Sequence, residues 1–192
     1  MKQIGTLAQW HWVSSAICLL GMLMFAITGI TLNHAQRISA QPITEVVKKN
    51  VPDHVLNDIQ EQQLSPELIT WIRQHIGVNL AGKAGEWSDF DVYVSLPRPG
   101  GDAWLSIDFE TAEIHYEHTK RGTIAYLNDL HKGRHTGIAW QWFLDLFAVA
   151  CIVFTVTGLL LLQRFAKRRW STWPLVTAGA LLPIGILLLF VH

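Results

Sequence analysis

Four histidines lie at or near the ends of long apolar segments, where a titratable side chain is costly and usually has a function. They are His11, His34, His131 and His135. Imidazole nitrogen is a common ligand of zinc and of haem iron, so these positions predict a metal or haem site. The alternative is a set of interfacial histidines that only form hydrogen bonds or contact lipid headgroups.

Three of these histidines should meet at one membrane face, because His34 ends the first apolar segment and the other two open the second. His131 and His135 are four positions apart and should share one side of a continuous helix. Such neighbours cannot reach opposite sides of one haem, so a bis-histidine site needs His34 and one of the pair. We prefer His131, which lies one turn further out and level with His34. His135 would then form a hydrogen bond nearby or ligate a second or dimer-shared haem.

His11 begins the first apolar segment and belongs to a different site. It lies 23 residues before His34, about 34 Å along a helix that rises roughly 1.5 Å per residue. A haem at His11 would have this histidine alone, a second ligand of another type, or a second ligand from His11 of another copy. The alternative is a histidine packed between Trp10 and Trp12 at the membrane interface.

Asp145 lies about nine residues into the second apolar segment, roughly 13 Å deep. A buried carboxylate needs a partner or a raised pKa, so Asp145 is a candidate proton relay or partner of a histidine. A hydrogen bond to a serine or threonine across a helix interface is the alternative. Together with Ile138, Trp142 and Val149 it forms a heptad-like stripe that we expect to face the bundle interior.

Three segments are apolar enough to cross a membrane, which takes about 20 residues of helix. They cover residues 12–32, about 136–162 and about 173–191. The loop between the second and third carries four basic residues, Arg164, Lys167, Arg168 and Arg169. The positive-inside rule places this loop in the cytoplasm. The N-terminus is then cytoplasmic, whereas residues 34–134 and the chain end at His192 lie outside.

The insert between the first two segments is predicted to be a small α+β domain. Ser65 and Pro66 are typical of a helix start, and an apolar helical stripe follows them. Residues 90–96 alternate as a strand does, and residues 104–109 continue the extended pattern. The insert contains no Ser-His-Asp set, glycine-rich phosphate loop or zinc-ligand spacing, so it shows no catalytic chemistry of its own.

The first two apolar segments also contain an internal repeat. Residues 25–30 (FAITGI) align with residues 154–159 (FTVTGL), and residues 10–12 (WHW) align with residues 140–142 (WQW). Because the two helices run in opposite directions, a true repeat would be inverted across the membrane. The alternative is that aromatic belts and small packing residues recur in unrelated spans. A glutamine replaces the histidine in the second copy, so the copies are not chemically equivalent.

Composition excludes several classes of protein. Of the 192 residues 50% are apolar and 16% are charged, against roughly 25% charged in a soluble domain. Lysine plus arginine equals aspartate plus glutamate at 15 each, so no net positive field attracts nucleic acid. Cys18 and Cys151 both lie in apolar segments, which excludes a disulfide framework. The absence of a Cys-x-x-Cys-His motif excludes covalently attached c-type haem.

Residues 127–137 (LNDLHKGRHTG), leading into Trp142 and Asp145, resemble the PepSY-associated transmembrane family. Residues 28–34 (TGITLNH) are similar to the end of that family's first helix. Residues 107–114 (IDFETAEI) resemble the strand–turn–strand of a PepSY domain, with an alanine where a glycine is usual. The resemblance covers nearly the whole chain.

This resemblance implies a bacterial inner-membrane protein that often accompanies iron uptake. Some larger relatives are haem-binding reductases of ferric siderophores. Carried over to this sequence, His34, His131 and His135 match haem-ligand positions on the periplasmic side, and His11 matches the one on the cytoplasmic side. This chain has three apolar segments where the larger relatives have four or more. It is therefore open whether one subunit holds a complete electron path.

The expected protein is an α-helical membrane protein in three parts. Residues 1–33 form the first transmembrane helix with a short cytoplasmic N-terminus, and residues 34–134 form a periplasmic PepSY-like α+β domain. Residues 135–192 form the second and third transmembrane helices, joined by the basic cytoplasmic loop. We expect the protein to lie in the lipid bilayer and not to bind nucleic acid.

We expect one or two haem b groups per subunit and electron transfer to ferric iron or a ferric siderophore in the periplasm. Because the hydrocarbon core is about 30 Å thick, one outer haem cannot draw on a cytoplasmic donor by itself. A second haem at His11, a homodimer, a reductase or membrane quinol must bridge that distance. The alternatives are a non-enzymatic docking or regulatory PepSY protein, and a haem or metal carrier.

Overall fold

The computed structural model describes residues 5–38, 41–56, 63–166 and 169–191. These residues form six helices and five strands. In chain order they are α1 (Leu7–Asn33), β1 (Ile43–Asn50), α2 (Asp53–Leu56), α3 (Pro66–His75), β2 (Glu86–Trp87), β3 (Asp91–Ser95), β4 (Gly101–Asp108), β5 (Glu113–Lys120), α4 (Thr123–Lys132), α5 (Ile138–Phe165) and α6 (Thr172–Phe190).

Three helices of the described chain, α1, α5 and α6, have the length and composition to cross a membrane. They contain 27, 28 and 19 residues, and a span needs about 20. The predicted architecture of three apolar helices, with an α+β insert between the first and second, is therefore confirmed. The orientation stays a prediction. Lys167, Arg168 and His192, on which part of it rests, lie outside the described residues.

The insert is built on one antiparallel sheet in the order β1-β5-β4-β3-β2. Strands β3 and β4 follow the extended segments that the sequence predicts. Strand β1 was not predicted, because most of its side chains are exposed and give no alternation. It pairs with β5 along its whole length, so backbone hydrogen bonds rather than a buried face hold this edge strand.

The core of the insert lies between α3 and one face of this sheet. Leu68 and Ile72 of α3 are fully buried, as are Leu105 and Ile107 of β4. The predicted helix start is confirmed, since the Ser65 hydroxyl accepts a hydrogen bond from the Leu68 amide at 3.2 Å. Such an N-cap contributes about 1 kcal/mol. The spacing of apolar residues thus builds a stable domain, independently of any ligand.

The second apolar segment does not begin at His131. Helix α4 ends at Lys132, and α5 begins only at Ile138. Gly133 at φ 65° ends α4 in the left-handed conformation that favours glycine, and His135 between the helices also has a positive φ of 56°. The prediction that His131 and His135 share one side of a continuous helix is therefore wrong. A glycine-terminated break separates them.

The chain divides into two compact units. One comprises Met1–Leu23 and Phe143–His192, and the other comprises Met24–Trp142. Helices α1 and α5 therefore each contribute to both units. The second unit contains the sheet, α4, and the end of α1 that leads into the insert.

The predicted inward-facing stripe on α5 is also wrong. Ile138, Trp142 and Val149 are 73%, 64% and 58% exposed, and Asp145 is exposed as well. Helix α5 instead packs its Phe147 side chain against Gly21 of α1. Phe147 is two positions after Asp145, which is about 200° around a helix with 3.6 residues per turn. The stripe therefore lies on the side of α5 opposite to this contact.

Candidate functional site

His131 lies in the last turn of α4 and packs against the end of α1. Its Nδ1 atom is 2.6 Å from the hydroxyl oxygen of Thr28. The ring lies against Phe25 with the two ring centres 5.0 Å apart. A Cβ atom on Gly29 would be 3.7 Å from Cε1 of the imidazole, so the glycine leaves room for the ring. We call these four residues the His131 site.

The hydrogen bonds of Thr28 favour a proton on Nδ1 of His131. The Thr28 hydroxyl donates to the Met24 carbonyl of its own helix, at 2.9 Å. Because a hydroxyl has one hydrogen to donate, a Thr28 hydroxyl that donates to Met24 can only accept from Nδ1–H of His131. In the neutral ring Nε2 then has a free lone pair, and no group in the described part of the chain forms a hydrogen bond with it.

Helix α4 is held on α1 by a second polar contact one turn further along. The hydroxyl of Thr31 donates to the side-chain oxygen of Asn128 at 2.8 Å. Asn128 is buried, and it lies one turn before His131 on α4. Two hydrogen bonds to threonines of α1 therefore fix both the position of α4 and the orientation of the imidazole.

His11, in the first turns of α1, makes a similar set of contacts with α5. Its Nδ1 atom is 3.2 Å from the Phe154 carbonyl oxygen and 3.1 Å from the Thr157 hydroxyl oxygen. The imidazole stacks on the Phe154 ring at a centre-to-centre distance of 4.9 Å. A Cβ atom on Gly158 would come within 3.1 Å of Cε1 of His11. These four residues form the His11 site.

The tautomer of His11 follows directly from its partners. A backbone carbonyl only accepts hydrogen bonds, so Nδ1 of His11 must be the donor. Thr157 donates its own hydroxyl hydrogen to the Val153 carbonyl at 2.6 Å and accepts from the same imidazole N–H. Nε2 of His11 therefore also has a free lone pair, without a hydrogen-bond partner among the residues described.

The repeated Phe-x-x-Thr-Gly sequence has the same role in both sites. Residues 25–29 surround His131, and residues 154–158 surround His11. In each case the phenylalanine lies against the imidazole, the threonine binds Nδ1, and the glycine lies next to Cε1. The sequence alignment paired His11 with a glutamine. It missed His131 as the chemical counterpart, because His131 lies on α4, before the break that precedes α5.

His34 is exposed just beyond the end of α1. Its Nδ1 atom is 3.0 Å from the Ile30 carbonyl oxygen of the same helix. The described residues show no contact between His34 and His131. His131 lies beside Thr28, which precedes His34 by six residues or about 9 Å of helix. The two histidines are thus not level, and the bis-histidine pairing stays a prediction.

His135 is exposed in the turn between α4 and α5. Its Nε2 atom accepts a hydrogen bond from Nε of Arg134 at 3.1 Å. This contact occupies the nitrogen that is free in His11 and His131. The predicted role of His135 as a hydrogen-bond partner of His131 has no corresponding contact in the described residues, and its role as a ligand stays a prediction.

A family model described as PepSY_TM-like matches residues 2–192. The chain belongs to this family. Neither the comparison with curated proteins nor that with solved structures gives a match. Family membership confirms the resemblance inferred from the motif around His131.

Asp145 of this PepSY_TM-like protein is the candidate proton relay. It is exposed on α5, and it has no ion pair or hydrogen-bond partner among the described residues. The structure therefore provides no contact through which Asp145 positions a histidine. A proton-relay role stays a prediction.

The PepSY_TM-like chain does not assemble a zinc centre in the part that the structure describes. No group of three or more histidine, cysteine, aspartate or glutamate residues comes together there. A structural zinc ion needs four protein ligands and a catalytic one needs three. Haem iron takes four nitrogens from its own porphyrin and needs only one or two protein ligands. The isolated histidines therefore fit haem better than zinc.

Thr28 and Thr157 are the residues of the candidate site that sequence reasoning missed. Thr28 and Thr157 appeared only as packing residues of the repeat. The available signal was the recurrence of Phe-x-x-Thr-Gly in two apolar segments, which the structure shows as α1 and α5. The role of the two threonines needs the helix pairing, because each bonds a residue more than a hundred positions away.

Proposed function

We propose that this PepSY_TM-like protein is a haem b protein of the bacterial inner membrane. In this proposal it transfers electrons to ferric iron or a ferric siderophore on the periplasmic side. One observation carries it. The Nδ1 atoms of His131 and His11 lie 2.6 Å and 3.2 Å from oxygen atoms that can accept a hydrogen bond from Nδ1–H, which would leave the Nε2 lone pair free. This is the tautomer that an axial haem ligand requires, with the hydrogen bond that fixes its ring.

His131 and His11 are the residues that would hold the haem. When bound, haem b supplies a one-electron Fe(III)/Fe(II) couple whose potential depends on axial ligands and burial. Thr28 and Thr157 would orient the imidazoles by accepting a hydrogen bond from Nδ1–H. Gly29 and Gly158 leave space at the edge of each ring. Each unit of the chain therefore offers one preorganised ligand.

The second axial ligand at each position lies beyond what one subunit preorganises. His34 is our proposal for the periplasmic side, because it lies on the same helix as Thr28 and its side chain is free to move. His135, or a second copy of the chain, is the alternative source. A quinol or a reductase is the proposed electron donor, since the hydrocarbon core of about 30 Å separates the two membrane faces.

The test uses the full-length protein purified in detergent. We expect a Soret band, a b-type reduced-minus-oxidised spectrum, and one or two haems per chain by pyridine haemochrome. Haem reduced with dithionite should reoxidise when ferric citrate is added. Colourless protein would contradict the proposal and favour a docking role. Haem that stays reduced would contradict reductase activity and favour a carrier.

The chain provides a matched control for histidine substitutions. His75 in α3 also has Nδ1 within 2.9 Å of a backbone carbonyl oxygen, that of Trp71, and stacks on the Trp71 ring. It lies in the insert, away from the apolar helices. His75→Ala should leave haem content and spectrum unchanged. A loss of haem in this variant would mean that the insert, and not the membrane helices, binds the group.

A further inference from the structure

A cavity of about 480 Å³ lies in the second unit, beside α4 and the end of α1. Its volume is in the range of ligand-binding pockets, about 300–1,000 Å³. Leu32, Ala35 and Ile124 contribute apolar walls. Arg121, Lys132 and Arg134 contribute three cationic side chains. The combination suits a ligand that carries negative charge on a partly apolar body.

The cations outnumber the acidic groups that could neutralise them. Asp129, the acidic residue in the lining, is buried and accepts a hydrogen bond from the Gly100 amide at 2.8 Å. Its carboxylate is 3.7 Å from Arg121, so that pair is largely compensated. Lys132 and Arg134 form no ion pair within the described residues. The cavity therefore keeps a net positive charge next to an apolar wall.

A further feature of the same cavity favours an oxyanion. Helix α4 begins at this cavity with Gly122 as its N-cap and no side-chain cap. The first amide groups of a helix and its dipole favour a negative group there.

We propose that this cavity binds an anionic ligand through a carboxylate or phosphate group. Two sources have this chemistry: an anionic ferric chelate and the headgroup of an acidic phospholipid. The chelate source rests on the proposed function, because Lys132 directly follows His131 and a chelate bound here would lie beside the His131 site. The oxyanion site itself rests only on the cavity and its charges.

The experiment measures binding to the full-length protein in two arms. The first arm titrates gallium(III) citrate, an anionic chelate that is not reduced under these conditions, by calorimetry in a neutral detergent. The second arm reconstitutes the protein in nanodiscs of phosphatidylcholine with or without phosphatidylglycerol and measures the lipid that co-purifies. Lys132→Gln combined with Arg134→Gln is the test variant. Arg73→Gln combined with Lys83→Gln removes the same charge from exposed positions elsewhere.

We expect the Lys132/Arg134 variant to bind at least about tenfold more weakly, since it loses two charged partners of the anion. The Arg73/Lys83 variant should bind like the wild type. Loss in the gallium arm identifies a chelate site, and loss only in the phosphatidylglycerol arm identifies a lipid site. Equal binding by both double variants in both arms would overturn the proposal.

Haem content of the same preparations separates this inference from the proposed function. A haem-free protein that binds gallium citrate through Lys132 and Arg134 would retain the anion site and contradict the reductase. A haem protein whose anion binding is unchanged in the Lys132/Arg134 variant would retain the proposed function and contradict the anion site. Loss of haem together with anion binding would assign the two cations to the haem itself, and would overturn a separate ligand site.

Discussion

The His131 and His11 sites reach the same imidazole chemistry from different local structures. His11 lies within a long apolar helix, stacks almost parallel on Phe154 at 13°, and shares its Nδ1–H between a carbonyl and a hydroxyl. His131 lies on a short amphipathic helix, is tilted by 58° to Phe25, and has one Nδ1 partner, Thr28. One site has two anchoring oxygens and the other depends on one.

This difference indicates that a backbone carbonyl can hold an imidazole ring in place of a side-chain hydroxyl. At His11 the Phe154 carbonyl would still hold the ring if the threonine hydroxyl were removed. At His131 no carbonyl from α1 is within hydrogen-bond distance of the ring in the described residues. We therefore expect the two sites to respond differently to otherwise equivalent substitutions.

The largest expected effect concerns the membrane face on which the chain ends. The basic loop predicts that α6 ends in the periplasm, because lysine and arginine remain on the cytoplasmic side. Alkaline phosphatase fused after His192 should be active, and green fluorescent protein at the same position should stay dark. The opposite pair of results would reverse the two faces or remove one span, and would place the His131 site on the wrong side for periplasmic substrates.

If haem binds as proposed, replacement of each histidine should remove one haem. His131→Ala should lose roughly half of the haem of a two-haem protein and stop reoxidation by ferric citrate. His11→Ala should also lower haem content, but the remaining haem should still be reoxidised by the chelate. Haemochrome content and stopped-flow absorbance measure both effects. Unchanged haem in His11→Ala would make His11 an interfacial histidine, and the comparison would reduce to one site.

The glycines should differ because their distances differ. A Cβ at position 158 would be 3.1 Å from the His11 ring, whereas one at position 29 would be 3.7 Å from the His131 ring. The first distance is too short for an undisturbed contact, and the second is ordinary packing. Gly158→Ala should therefore shift the spectrum or lower the occupancy of the His11 site, while Gly29→Ala should be nearly neutral. Equal effects of the two substitutions would argue against the stacking geometry.

The smallest expected effect comes from the threonine hydroxyls. Thr28→Val should loosen the orientation of His131 and raise the midpoint potential of a haem bound there, because Nδ1 loses its hydrogen-bond partner among the described residues. Thr157→Val should shift the other potential less, since the Phe154 carbonyl remains. Thr155→Val is the control, as Thr155 bonds only the Cys151 carbonyl of its own helix. A redox titration in which Thr157→Val has the larger shift would contradict the inference that His131 depends more on its threonine than His11 does.

The fold of the insert could be predicted where the burial of one face makes apolar residues recur at a regular spacing. Leu68 and Ile72 recur at helical spacing on α3, and the alternation in β4 follows from its one buried face. Strand β1 was missed because an edge strand needs no such alternation. The break between α4 and α5 was missed because its glycines lie inside a motif that also fits a continuous helix start.

The candidate ligands could be predicted because a histidine near an apolar membrane span is energetically costly. The residues that surround each histidine could not be predicted. A histidine near an apolar span is informative by itself, so His11 and His131 were found. Asp145 was assigned an interior position because a carboxylate should be buried in protein, yet it is exposed on α5. Rotation of a helix about its axis is determined by the residues that pack against it, here Gly21 against Phe147.

The amino-acid sequence alone was enough to predict the three apolar helices, the domain inserted between the first two, the family and the candidate histidines. The tertiary structure alone shows which imidazole nitrogen faces an oxygen atom of the neighbouring helix at each site. That choice depends on Thr28 and Thr157, which are 103 and 146 positions from the histidines they bond. A hydroxyl oxygen can accept a hydrogen bond from Nδ1–H only when the two atoms lie within hydrogen-bond distance of each other. Helix pairing brings the two atoms to that distance, and no local pattern in the chain encodes it.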